Sequence, residues 1–92
     1  MRAKLITAST QIATEKANIV GYQVVPNGSV VATINIYNED TSDKTSALKV
    51  AGSRISATES GGEWFGDDPL YCSDGVYVEL AGTGAVAYIY LK

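Results

Sequence analysis

Val76-Tyr77-Val78-Glu79-Leu80 and Ala85-Val86-Ala87-Tyr88-Ile89-Tyr90-Leu91, separated by Ala81 and the turn Gly82-Thr83-Gly84, decide the fold class. In the first run Val76, Val78 and Leu80 share one side, with Tyr77 and Glu79 opposite. In the second, Ala85, Ala87, Ile89 and Leu91 alternate with Val86, Tyr88 and Tyr90. A period of two is that of a strand, because successive side chains point to opposite faces. Ser73-Asp74-Gly75 opens the pair and the glycine turn divides it, so the two runs are expected to form a hairpin. Val78, Leu80, Ile89 and Leu91 are its expected core residues. Neither side of the last run is polar, unlike a strand with one solvated face. Residues 85–91 are therefore expected to be central, covered on both sides, or part of a subunit interface. A tyrosine ring buries while its hydroxyl finds a partner, which makes Tyr77, Val86, Tyr88 and Tyr90 the candidate interface residues.

The same rhythm continues upstream. Val30, Ala32, Ile34 and Ile36 alternate with Val31, Thr33, Asn35 and Tyr37, and Ile19 to Val25 is mostly apolar. Pro26-Asn27-Gly28 lies between them. Asn-Gly accepts positive φ at both central positions of a type I′ turn, so 19–25 and 30–37 are expected to pair as a hairpin. Lys4–Ser9, Ala47–Ala51, Arg54–Thr58 and Leu70–Cys72 read as shorter strands. Residues 13–18 and 38–43 read as loops, as does the glycine-rich stretch 59–69. The whole is expected to be one all-β domain over residues 1–92: a small antiparallel β-sandwich or jelly-roll-like barrel of seven or eight short strands. Residues 1–11 would supply an N-terminal strand or arm.

Composition narrows the function. The chain has 92 residues and only 18% are charged, against roughly 25% in ordinary soluble domains. This low-charge surface is expected to be either covered in part by neighbours or lined by the plentiful Ser and Thr. The net charge is −3 and the seven basic residues are scattered, so there is no phosphate-binding footprint and no nucleic-acid partner is expected. No apolar run reaches the length of a membrane span, and the N-terminus lacks the long apolar region of a signal peptide. There is no histidine, which removes the commonest general base and metal ligand together with any Ser-His-Asp or Cys-His arrangement. Cys72 is the only cysteine. It can form no internal disulfide and reads as a buried thiol. The carboxylates of Glu39, Asp40 and Asp43, and of Asp67 and Asp68, do not match the twelve-residue calcium loop and read as solvated turns. No enzyme activity, metal or cofactor is expected. Trp64, Phe65 and Tyr71 either anchor the 59–69 loop by packing or form an aromatic platform for a ligand. The loop needs something larger than glycine and serine to tie it down, which favours packing.

The C-terminal third, Pro69-Leu70-Tyr71-Cys72-Ser73-Asp74-Gly75-Val76-Tyr77-Val78-Glu79-Leu80 followed by Gly82-Thr83-Gly84-Ala85-Val86-Ala87-Tyr88-Ile89-Tyr90, resembles the ending of small β-sandwich virion proteins of tailed bacteriophages. Upstream, Val30 to Tyr37 resembles the strand that precedes a polar loop in those proteins, so the likeness covers roughly residues 19–91. The resemblance implies a non-enzymatic structural part of a phage particle: a capsid decoration (cement) protein, or a head–tail component. It also implies a homo-oligomer, with a trimer favoured, bound to a major capsid or other virion protein. The chain would be made in the host cytoplasm and reside in the virion, with Met1 to Gln11 as an arm reaching into a neighbour. The competing expectation is a carbohydrate- or receptor-binding β-sandwich module. That module would need Trp64 or nearby tyrosines exposed among polar groups.

Overall fold

The computed structural model describes residues 2–92, which form nine strands in two antiparallel sheets. They are β1 (Arg2–Ile6), β2 (Thr10–Ala13), β3 (Ala17–Val25), β4 (Ala32–Tyr37), β5 (Lys49–Ile55), β6 (Gly61–Trp64), β7 (Leu70–Cys72), β8 (Val76–Ala81) and β9 (Val86–Leu91). Sheet A has the order β1-β9-β3-β6, with β7 also paired to β3, and sheet B has the order β2-β8-β4-β5. The pairs are nested along the chain: β1 with β9, β2 with β8, β3 with β6 and β7, and β4 with β5. This is the winding of a jelly roll, a long hairpin wrapped so that its successive pairs fall alternately in two facing sheets.

The expected β-sandwich is present, but both expected hairpins are not. β3 lies in sheet A and β4 in sheet B, and β8 and β9 are divided in the same way. Each glycine turn is an arch that carries the chain over the core. Asn27 builds the first: its Oδ1 accepts the N–H groups of Ser29 (2.7 Å) and Val30 (3.0 Å), and Gly28 has φ 97°. At the second, Gly82 has φ 117°, and a Cβ there would stand 2.8 Å from the Val31 carbonyl oxygen. Asn-Gly and Gly-x-Gly specify a chain reversal. They do not specify whether the outgoing strand pairs beside its predecessor or faces it across the core.

Arching lets the inward residues of β3, β4, β8 and β9 meet. Ile19, Val24, Ile34, Ile36, Val76, Val78, Ala87 and Ile89 are completely buried. Leu91 also belongs to this core, whereas Leu80 is only half-buried at its margin. Val30 stands outside β4 and is exposed. Cys72 is buried, and burial pushes its thiol pKa up, as for an inert thiol. The N-terminal segment forms strands: β1 closes one edge of sheet A and β2 one edge of sheet B, so Arg2–Ile6 and Thr10–Gln11 are built into the sandwich, not held out as an arm. Met1 lies outside the described residues. The 59–69 segment, read from sequence as loop, contains β6. Gly62 is there for proximity: a Cβ on it would collide with the Tyr22 carbonyl of β3.

Candidate functional site

The outer faces of the two sheets differ in chemistry. On sheet B, β8 and β4 present Tyr77 opposite Tyr37 and Glu79 opposite Asn35, while β4 and β5 set Thr33 opposite Arg54. Glu79 Oε1 accepts a hydrogen bond from Asn35 Nδ2 (2.9 Å), and Oε2 pairs with Lys44 Nζ (3.1 Å). The Asn35 amide, and after it Lys44, hold the Glu79 carboxyl below its ordinary pKa. This face is polar and internally satisfied, as suits a solvated sheet.

Sheet A is different. Cross-strand register aligns Leu5, Tyr88, Gln23 and Gly62 in one outward row, and Ala3, Tyr90, Gly21 and Trp64 in the next. Val86 and Val25 begin a third. Neither full row contains an acidic or basic residue. Trp64 packs edge-on against Tyr90, with ring centroids 5.9 Å apart. Gly21 makes room for the indole, since a Cβ there would lie 2.6 Å from Trp64 Cε3. The ring thus covers a bare stretch of backbone, as aromatic residues do beside strand glycines. Trp64 nonetheless remains 61% exposed and Leu5 54%. Tyr71, paired with Asn18 farther along β3, is 58% exposed.

The residues singled out in the sequence therefore divide. Val86, Tyr88 and Tyr90 come together on the outer face of sheet A. Tyr77 does not join them, because β8 belongs to sheet B and its outward side points the opposite way. Trp64 and Phe65 part company too. Phe65 turns inward, packs on the core and approaches Tyr22 with centroids 6.4 Å apart. It is the loop anchor. Trp64, expected to pack down with it, is exposed, because consecutive residues leave a strand on opposite sides. Leu5 and Gln23 complete the face, and the sequence reading missed them. Leu5 had an apolar side chain as a signal, but its direction depends on pairing with β9.

Of the acidic residues grouped in the sequence, Glu39 serves local structure. Glu39 is buried; its Oε2 accepts the Thr45 N–H (3.0 Å), and its carbonyl accepts a hydrogen bond from Gln11 Nε2 (2.8 Å). Among the described residues no three Asp, Glu, Cys or His side chains are grouped as a metal site would require. Tyr22 Oη lies 2.6 Å from Ser53 Oγ and donates to Glu63 Oε1 (3.0 Å), which ties β3 and β6 to β5 of the other sheet. No protein-family model, curated protein or solved structure matches the chain.

Proposed function

We propose that this chain is a non-enzymatic structural component of a bacteriophage particle, a capsid decoration protein that docks on a shell protein through the outer face of sheet A. The observation that carries the docking face is the contrast between the two sheets. Aromatic and aliphatic side chains free of charge cover one, and a satisfied polar network covers the other. Aromatic enrichment with charge depletion is the composition of the buried centre of a protein interface. The molecule spans 35 × 29 × 20 Å, so one broad face offers on the order of the 800 Å² that each partner gives to a standard interface. The particle, the shell partner and the trimer come from the likeness of residues 19–91 to phage virion proteins.

A second reading draws on Trp64. An exposed indole edge-on to Tyr90 is a surface on which a saccharide ring can stack. Gln23 is the only amide side chain in the two central rows, which leaves few groups to orient sugar hydroxyls and favours a protein partner. The test is co-sedimentation with phage shells assembled without this protein. The wild type and Thr33→Lys, on the face of sheet B, are expected to bind, and Tyr88→Lys is expected not to. Failure of the wild type to bind, or equal binding by Tyr88→Lys, overturns the proposal. Quenching of Trp64 by a cell-surface polysaccharide without shell binding would establish the second reading in its place.

A further inference from the structure

We propose that a second copy of this chain joins this one edge to edge, β1 of one molecule adding to β6 of the next, with Lys4 set against Glu63. Sheet A ends in these two short strands, Arg2–Ile6 and Gly61–Trp64. Both are exposed: Arg2 to Leu5 on one side, Gly62 to Trp64 on the other. Each leaves one row of backbone N–H and C=O groups without a strand partner, which is a template for strand addition.

Strand direction permits the contact. All pairings in the order β1-β9-β3-β6 are antiparallel, so β1 and β6 run in opposite directions. A copy displaced sideways by one sheet width brings its β1 beside β6 and continues the antiparallel alternation. The register is set by rows already present. Lys4, Ile89, Tyr22 and Glu63 form one inward-facing row across the sheet. Extending that row into the next copy places Lys4 opposite Glu63. The neighbouring rows then place Ala3 opposite Trp64 and Leu5 opposite Gly62, so a small residue receives a large one each time. One step further along, Arg2 faces the Phe65 end of β6, beside the turn that holds Asp67 and Asp68.

Charge makes the two edges complementary. Arg2, Lys4 and Lys16 line the groove at the β1 edge, with Glu15 as its one acid. The β6 edge carries Glu63, with Asp67 and Asp68 following in the turn to β7. Inward-pointing charges often protect edge strands from pairing. Such protection works by the cost of burying an unpaired charge, which the opposite charge on the next edge offsets here. The one ion pair within the described residues is Lys44–Glu79, so Arg2, Lys4 and Glu63 have no charged partner there; Glu63 Oε1 accepts the Tyr22 hydroxyl, which leaves its negative charge unpaired. Such a contact is heterologous and forms rings or filaments.

This contact uses the edges and not the outer face of sheet A, so it stands or falls independently of the docking face above. The test is sedimentation across a concentration series, with urea unfolding of each variant as a control for the fold. The wild type is expected to self-associate, and less so as salt screens the charges. Lys4→Glu and Glu63→Lys each set like charges together and are expected to weaken association about tenfold. The double variant K4E/E63K restores opposite charges and is expected to recover wild-type association. Mixing the two single variants should restore association as well. A wild type that remains monomeric, a Lys4→Glu protein that associates like the wild type, or a double variant no better than the singles would each overturn the proposal.

Discussion

Replacing Ile89 by alanine tests the assignment of faces on which the docking surface depends. Ile89 is completely buried in β9, aligned with Lys4 of β1 and Tyr22 of β3. Isoleucine has three more side-chain carbons than alanine. At about 0.8 kcal/mol per buried methylene their removal withdraws about 2.4 kcal/mol of transfer free energy. The cavity left between two packed sheets raises the cost to about 3–4 kcal/mol, within the range of roughly 2–5 for such truncations. A domain of this length is stable by about 5–14 kcal/mol, so the variant should still fold. With a urea m-value of about 1.5–2 kcal/mol per molar, its midpoint should fall by about 2 M. Tyr88→Ala, one position away, removes more atoms from the outward side and should cost about 1 kcal/mol or less. The assay is urea unfolding followed by circular dichroism on dilute protein, because self-association would add its own stability. If Tyr88→Ala proves costlier than Ile89→Ala, the register of β9 is displaced by one residue, and with it the aromatic face.

Other outcomes follow from the same structure. Gly62→Ala drives a methyl group into the Tyr22 carbonyl and should separate β6 from β3, seen as loss of amide protection at Gly61–Trp64 before the rest of the sheet. Tyr22→Phe should cost about 1 kcal/mol, since it removes the hydroxyl shared with Ser53 and Glu63. Burial, and then Glu63, raise the Tyr22 pKa above 10.0, so its hydroxyl stabilises the fold below pH 10 and that share is lost as pH rises through the raised value. The alkaline limb of a stability–pH curve should therefore flatten in Tyr22→Phe. At the acid end, the depressed Glu79 carboxyl contributes above its ordinary value of 4.5 and its contribution disappears as pH falls through the folded value. Glu79→Gln should flatten that limb, by a small amount because the pair is solvent-accessible. In the monomer Trp64 should emit at long wavelength and be readily quenched by iodide, and its emission should shift to the blue on binding a shell protein.

Fold class was legible because alternation is a local signal. The runs 32–37 and 76–91 form strands with Ala32, Ile34, Ile36, Val76, Val78 and Ile89 inward, as their period requires. Pairing was not legible. The choice between a hairpin and an arch at Asn27-Gly28 and at Gly82-Thr83-Gly84 depends on which distant strand wins each edge: β9 took β1 and β3, and β8 took β2 and β4. The same non-local choice separated Tyr77 from Tyr88 and Tyr90, because it sent their strands to different sheets. β6 was not legible because Gly61-Gly62 reads as loop, whereas Gly62 allows close approach to β3. Trp64 and Phe65 were read as one unit although a strand turns neighbours to opposite sides, so one became an anchor and the other surface.

The low charge content of the chain now has a location. Had the deficit been spread evenly, both outer faces would mix tyrosine, threonine and scattered ions, and neither would stand out as a docking surface. Instead, Lys44, Lys49, Arg54 and Glu79 lie on or beside the outer face of sheet B, and Arg2, Lys4 and Glu63 sit at the rims of sheet A. The two full rows across sheet A are left without charge. Placing ions at the rims and none between them costs the isolated chain little, because Trp64, Leu5 and Tyr71 are exposed on one face and dispersed among smaller residues. On the proposed edge contact it gains a further consequence when copies stand side by side. Joined through β1 and β6, neighbouring molecules neutralise each other's rim charges and merge their uncharged rows into one wider apolar surface. Under the two proposals, a shell protein would then meet an extended face instead of isolated patches, and each weak docking contact would be reinforced by its linked neighbours. If both proposals hold, edge and face are parts of one assembly device, in which the opposite charges align the copies and the aromatic rows supply the adhesive area.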